Sequence, residues 1–227
     1  MQIPLWIRQA LAEFYGTFIL VLVGTGSIAF GAGESLLSVA FAFGFGAMIA
    51  IYTVGHISGA HLNPVVSLAM VLDRRMSWKT FGIYLIAQTA GAFFASLTLL
   101  IGSGTDAFVG LGVSSFTEPT TAIVVIIFEM FLTFILVYLV LAVSQRKSLQ
   151  PFIGIIVAFT LVGLILIGGP ISSASLNPIR SLAPALLTGG EALLQLWVFI
   201  LGPTLGAILA VLFYRFFKHT DSDTIKS

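Results

Sequence analysis

The sequence predicts an all-α membrane protein, with six transmembrane helices and two re-entrant half-helices in an inverted repeat. Three observations lead there. The 227 residues are 58% hydrophobic and 8% charged, with a mean hydropathy of +1.10, whereas soluble domains carry about 25% charge. Six apolar stretches reach the roughly 20 residues that a spanning helix needs. The two halves of the chain also share a set of motifs at nearly one spacing. So few charges exclude an ordinary soluble enzyme and a disordered chain. A formal charge of +1 provides no basic surface for nucleic acid. With no cysteine in the chain, disulfides, thiolate metal sites and cysteine nucleophiles are excluded, and neither a metal nor a cofactor is expected.

The spans fall near 8–30, 37–55, 80–101, 121–143, 152–169 and 194–216. The first resembles a signal peptide, because the small residues Gly24, Thr25, Gly26 and Ser27 follow an apolar run. Its Thr17-Phe18-Ile19-Leu20-Val21 recurs as Thr133-Phe134-Ile135-Leu136-Val137 in mid-chain, which marks it as structure. Two shorter apolar stretches, near 63–72 and 177–187, begin at Asn63-Pro64 and Asn177-Pro178. Asn as N-cap followed by Pro at the first helical position is a strong helix start. Each half-helix is approached through a segment expected to be non-helical, Gly55 to His61 and Gly168 to Ser175. In the sixth span, Gly202 and Gly206 permit a close helix crossing.

The few charges orient this arrangement. Arg8, Arg74, Arg75, Lys79, Arg146, Lys147, Arg215, Lys218 and Lys226, nine of the ten basic residues, fall on one side of a six-span chain. The opposite loops hold Glu34, Asp106, Glu118 and Glu191 and no Lys or Arg. The positive-inside rule then puts both termini in the cytoplasm, and the expected location is the plasma membrane, as a multi-pass protein.

The repeat aligns residues 1–116 with 117–227 as two parts of one pore-forming domain. Glu13 and the Thr-Phe-Ile-Leu-Val run match Glu129 and its copy; Leu62-Asn63-Pro64 matches Leu176-Asn177-Pro178; Thr89-x-Gly91-Ala92 matches Thr204-x-Gly206-Ala207. All three lie 114 to 116 residues apart. Three spans per half is an odd number, so the second copy enters the membrane from the other side. Inverted repeats place their sites near the midplane, where broken helices meet.

The two Asn residues, Asn63 and Asn177, are thereby brought together at the centre. Each half-helix N-terminus carries about half a positive charge, and two converging termini repel protons and other cations. Irregular backbone survives at membrane depth only inside protein or along a water-filled path. Carbonyls of Gly59, Ala60, His61, Ser172 and Ser173 are expected to form a ladder of acceptors beside the Asn amides. Water or a small alcohol could pass such a path in single file. Arg180, the one basic residue inside the membrane, reads as a constriction that donates hydrogen bonds and repels cations; an ion pair with Glu13 or Glu129 is the alternative. Glu13 and Glu129 are expected to accept hydrogen bonds from the irregular backbone, with a proton relay as their alternative role. His56 and His61 read as loop-holding side chains rather than metal ligands.

The run Glu13-Phe14-x-Gly16-Thr17, the loop Gly55-His56-Ile57-Ser58-Gly59-Ala60-His61-x-Asn63-Pro64, and Ser175-x-Asn177-Pro178-x-Arg180-Ser181-x-x-Pro184-Ala185 together resemble the aquaporin family, the major intrinsic proteins. The resemblance covers nearly the whole chain. It implies six helices with two half-helices, a pore in each protomer and a homotetramer. It also implies a selectivity constriction at Phe43, Ile165, Ala174 and Arg180. Water-selective members usually have His where Ile165 stands and glycerol channels have Gly, so this filter is intermediate. Ser181 replaces the Asp usual in glycerol channels and leans towards water, as does the lack of longer outer loops. The family's repeated Asn-Pro-Ala is here Asn63-Pro64-Val65 and Asn177-Pro178-Ile179; the larger side chains are expected to alter half-helix packing, which leaves the midplane width open. The expected function is a passive channel for water and small neutral solutes such as glycerol or ammonia. A dedicated glycerol or small-solute facilitator and a secondary transporter are the alternatives; no enzyme activity is expected.

Overall fold

A computed structural model describes residues 3–31, 35–103 and 111–224, with side chains as far as Lys218. Glu34, Asp106 and Lys226 lie outside the described residues. Those described form helices and connecting turns, with no strand among them. In chain order the helices are α1 (Leu5–Ala29), α2 (Leu36–Ser58), α3 (Pro64–Leu72), α4 (Trp78–Gly102), α5 (Ala122–Val143), α6 (Ile153–Ser172), α7 (Pro178–Thr188), α8 (Gly190–Leu194) and α9 (Leu196–Thr224). A 3-10 turn, Lys147–Phe152, leads into α6. Six stretches are long and apolar enough to span a membrane: α1, α2, α4, α5, α6 with its leading turn, and α8 running into α9.

The spans match the expected stretches to within a few residues at most ends; α9 runs further, to Thr224. The short α8 and the turn before α6 have no periodic signal in the sequence. The non-helical approaches are shorter than expected. Helix α2 continues through Gly55 to Ser58 and is stopped by Gly59, whose φ of +89° ends the helical path. Helix α6 continues through Gly168 to Ser172 and is stopped by Ser173 at φ +59°. Apolar residues sustain each helix until a left-handed residue breaks it.

Packing follows small residues. Helix α1 lies along α2 and α4, α5 lies along α9 and α6, and α2 against α6 joins the halves. At the α1–α4 crossing a methyl group on Gly91 would collide with the Phe14 carbonyl. At the α5–α9 crossing one on Gly206 would collide with the Met130 carbonyl. A methyl on Gly202 would come within 2.7 Å of Glu129 Cβ, so both glycines of α9 serve the close approach expected of them. The short helices α3 and α7 fill the space between these layers. Helix α3 contacts α4, α5 and α9, helix α7 contacts α4 and α9, and the two touch each other.

Candidate functional site

Each half-helix starts as its sequence dictates. Asn63 is extended (φ −155°) and its side chain accepts from the Val65 N–H, with Pro64 in the first turn. Asn177 (φ −148°) accepts from the N–H groups of Ile179 and Arg180, ahead of Pro178. The free ends of the two amides then cross over. Asn63 Nδ2 donates to the Leu176 carbonyl at 2.8 Å, and Asn177 Nδ2 donates to the Leu62 carbonyl at 2.9 Å. Each approach segment thus ends on the other's Asn. Each amide nitrogen has a second hydrogen, and both Asn residues line one cavity of about 580 Å³.

The approach segments have matching backbones. Ala60 and Leu62 are left-handed (φ +47° and +55°), as are Ala174 and Leu176 (φ +43° and +53°). Non-glycine residues held there cost of order 1–3 kcal/mol each, so something must hold them. That is the work of the two buried glutamates, both 0% exposed. Glu13 Oε1 accepts from Ser58 Oγ (2.7 Å) and the His61 N–H (2.9 Å), and its Oε2 accepts from the Leu62 N–H and Gln88 Nε2, each at 2.8 Å. Glu129 Oε1 accepts from Ser172 Oγ and the Ser175 N–H, and its Oε2 from the Leu176 N–H, all at 2.8 Å. In addition, Tyr84 donates to the Ser58 carbonyl at 2.7 Å.

Phe43, Ile165, Ala174 and Arg180 all line the same cavity as the Asn pair. The guanidinium carbon of Arg180 stands 4.9 Å from the Phe43 ring centroid, a cation–π distance. Its Nη1 donates to the Gly112 carbonyl at 2.7 Å and to Ser114 Oγ at 2.8 Å. No carboxylate among the described residues lies within ion-pair distance of Arg180; the acceptors of Nη1 are the Gly112 carbonyl and Ser114 rather than Glu13 or Glu129. Nε and Nη2 have no protein acceptor among the described residues. Gly112 is required where it sits: its φ is +65°, and a methyl group would press on Thr25 Cβ at 2.9 Å.

Gly59, Ala60 and His61 line the cavity, as do Ala174 and Ser175, but Ser172 and Ser173 do not. Ser172 closes α6 and turns its hydroxyl to Glu129. Ser173 Oγ donates to the Ser115 carbonyl at 2.7 Å. No donor among the described residues reaches the carbonyls of Gly59, Ala60, His61, Ala174 or Ser175. His61 Nδ1 lies 2.9 Å from Ser67 Oγ, as expected of a loop-holding side chain. Apolar walls come from repeat-equivalent Leu20 and Leu136 among others.

Val65 and Ile179 bear on helix packing. Neither lines the cavity that holds the Asn pair; both lie beside a separate apolar pocket between α4 and α9. Ile179, 3% exposed, packs with Val21, Ala92 and Ala95, and Val65, 2% exposed, joins a second cluster with Val137 and Ala207. Their bulk is taken up in packing against helices, away from the Asn pair.

Several roles at the site differ from or go beyond the sequence reading. The hydroxyls of Ser58 and Ser172, 114 residues apart and so within the repeat spacing, reach the two glutamates, and Gln88 is a polar residue in an apolar span; those were legible signals. Gly112 and Ser114 lie in an irregular loop without periodicity. Arg75, at the opposite end of the cavity, is held by Asp73 (2.6 Å) and Ser144 (2.9 Å), while Arg215 also pairs with Asp73.

Residues 1–214 match the family model described as Major intrinsic protein. Among curated relatives, aquaporin NIP1-1 of Zea mays is 34% identical over 95% of this chain and 77% of its own length. Glycerol uptake facilitator protein-like 6 of Lactiplantibacillus plantarum is 36% identical over 90% of this chain and 95% of its own. Aquaporin Z of Rhodopseudomonas palustris is 35% identical over 92% of each. The solved aquaglyceroporin from Plasmodium falciparum has the same fold, with a TM-score of 0.82 at 23% identity, covering 92% of this chain and 95% of that one. By its sequence, its six spans with two half-helices and these relatives, the chain belongs to the major intrinsic protein family.

Proposed function

We propose that the chain forms a passive channel for water and small neutral solutes such as glycerol, closed to protons and ions. The observation that carries this reading is the reciprocal hydrogen bonding of Asn63 and Asn177 inside a cavity shared with Arg180 and Phe43. Two half-helix N-termini meet there, each with about half a positive charge. A cation would have to shed water against that field and against the Arg180 guanidinium. A water molecule keeps hydrogen bonds throughout: to the remaining N–H of each Asn, to free backbone carbonyls, and to Nε and Nη2 of Arg180. Between these groups Phe43, Ile165, Leu20 and Leu136 provide apolar wall, which leaves the permeant few other partners.

In this reading the two halves are an inverted repeat about an axis in the membrane plane, supported by the matched left-handed residues and the two glutamate anchors. The termini are cytoplasmic, supported by the segregation of basic residues, and the protein is a homotetramer of the plasma membrane, as the family resemblance implies. A secondary transporter needs ionisable groups that meet a coupling ion. Glu13 and Glu129 are instead buried and occupied by backbone donors, and neither lines the cavity.

Ile165 and Ala174 favour glycerol passage beside water, since together they remove a polar contact and leave room. Stopped-flow light scattering on proteoliposomes reads both permeants. Shrinkage in an impermeant osmolyte is expected to exceed that of empty liposomes, with measurable re-swelling in glycerol. Glycerol flux without accelerated water flux would favour a dedicated solute facilitator. Saturable uptake that collapses with the proton gradient would identify a transporter.

A further inference from the structure

Arg180 Nη1 begins a chain of hydrogen bonds that leads back to the midplane. It donates to Ser114 Oγ at 2.8 Å. Ser114 Oγ lies 2.7 Å from Ser181 Oγ, Ser181 Oγ lies 2.5 Å from Ser175 Oγ, and Ser175 Oγ donates to the Asn177 carbonyl at 3.0 Å. All three serines are buried, at 2%, 1% and 6% exposure. A guanidinium only donates and a backbone carbonyl only accepts. Ser175 has one proton and gives it to the Asn177 carbonyl, so Ser181 donates to Ser175 and Ser114 to Ser181. The reverse order would leave the Asn177 carbonyl without the Ser175 proton and the Ser114 proton without an acceptor among the described residues.

We propose that Ser114, Ser181 and Ser175 are positioning residues that fix the constriction guanidinium by a one-way hydrogen-bond chain from Arg180 to the Asn177 carbonyl. The chain spans three separate pieces of structure: the loop ahead of α5, the half-helix α7, and its approach segment. Nη1 is held on the loop side by Gly112 and Ser114, which leaves Nε and Nη2 for the permeant. Aligned hydrogen bonds strengthen one another, so an interruption at Ser181 is felt at Ser114. Once freed, the guanidinium samples more orientations above Phe43, and the opening set by Ile165 and Ala174 widens for a bulky permeant more than for water. Ser181 is thus a selectivity determinant that never touches the permeant.

This inference rests on the channel reading, and one experiment separates the two. Water and glycerol permeabilities are measured on the same proteoliposomes for the wild type, Ser114→Ala, Ser181→Ala and Ser181→Thr. Their ratio is independent of how much protein reconstitutes, so a variant that only folds less well leaves it unchanged. Both Ala variants are expected to raise the glycerol-to-water ratio by roughly threefold, the scale of one hydrogen bond, and Ser181→Thr, which keeps the hydroxyl, to retain the wild-type ratio. An unchanged ratio in both Ala variants overturns the proposal, as does a change in Ser181→Thr as large as in Ser181→Ala. If Ser114→Ala does not reconstitute, Ser175→Ala breaks the chain from its far end and is read in the same way. A wild type no faster for water than empty liposomes is a failure of the channel reading itself.

Discussion

At the scale of single residues, two buried carboxylates hold the irregular backbone. Glu13 satisfies four donors and Glu129 three, because Gln88 of α4 has no polar counterpart across the repeat, where Pro203 of α9 stands. Each donor abandoned in the interior costs about 1–3 kcal/mol. Glu13→Ala is therefore expected to lower the thermal unfolding midpoint in detergent further than Glu129→Ala does, and both by more than a typical core substitution; equal, small shifts would show the anchors to be dispensable. Val65 and Ile179 predict a contrasting pattern. Their side chains face helices rather than the cavity, so Val65→Ala with Ile179→Ala is expected to cost about 2–5 kcal/mol of stability and to leave the glycerol-to-water ratio unaltered in a flux assay. The Asn-Pro-Val and Asn-Pro-Ile departures were visible in the sequence, but which way their side chains point was not. That direction depends on the rotation of each half-helix about its axis, which is set by contacts with α1, α4, α5 and α9.

At the scale of elements, the helices come together through glycines that the repeat places at equivalent crossings. Gly206 admits the Met130 carbonyl of α5 and Gly91 the Phe14 carbonyl of α1. Gly206→Val must push α9 away from α5 and is expected to destabilise by about 1–3 kcal/mol, measured by unfolding in detergent; no change would mean that the crossing tolerates a wider spacing. The elements were legible where the sequence is periodic or punctuated. Long apolar runs predicted the spans, and the Asn-Pro pairs predicted the starts of α3 and α7. The stops were harder to read: α2 and α6 each continue three residues or more into segments rich in Gly, Ser and Ala. Their ends are set by left-handed Gly59 and Ser173, and only the first of these is a glycine. Ser173 holds that conformation while its hydroxyl ties to Ser115, a contact with a loop that carries no pattern of its own. The same loop supplies Gly112 and Ser114 to Arg180, which is why the arginine was legible and its partners were not.

At the scale of the whole molecule, scarce charge serves three ends. Nine of the ten basic residues fall in segments that a six-span topology would put on one side, the buried acids Glu13 and Glu129 anchor the approach segments, and Arg180 lines the cavity beside Phe43. With no cysteine anywhere, mercurials are expected to leave water flux unchanged, read by light scattering with and without mercuric chloride; strong inhibition would contradict the assigned pore. The central claim is that two half-helices meeting at Asn63 and Asn177 let water through while excluding protons. Proteoliposomes loaded with a pH-sensitive dye test it most directly, by recording osmotic shrinkage and internal pH in the same vesicles under an imposed proton gradient. The account predicts shrinkage well above that of empty liposomes, with internal pH drifting no faster than in them. Proton entry that accelerates together with water flux, or shrinkage no faster than in empty liposomes, would contradict it.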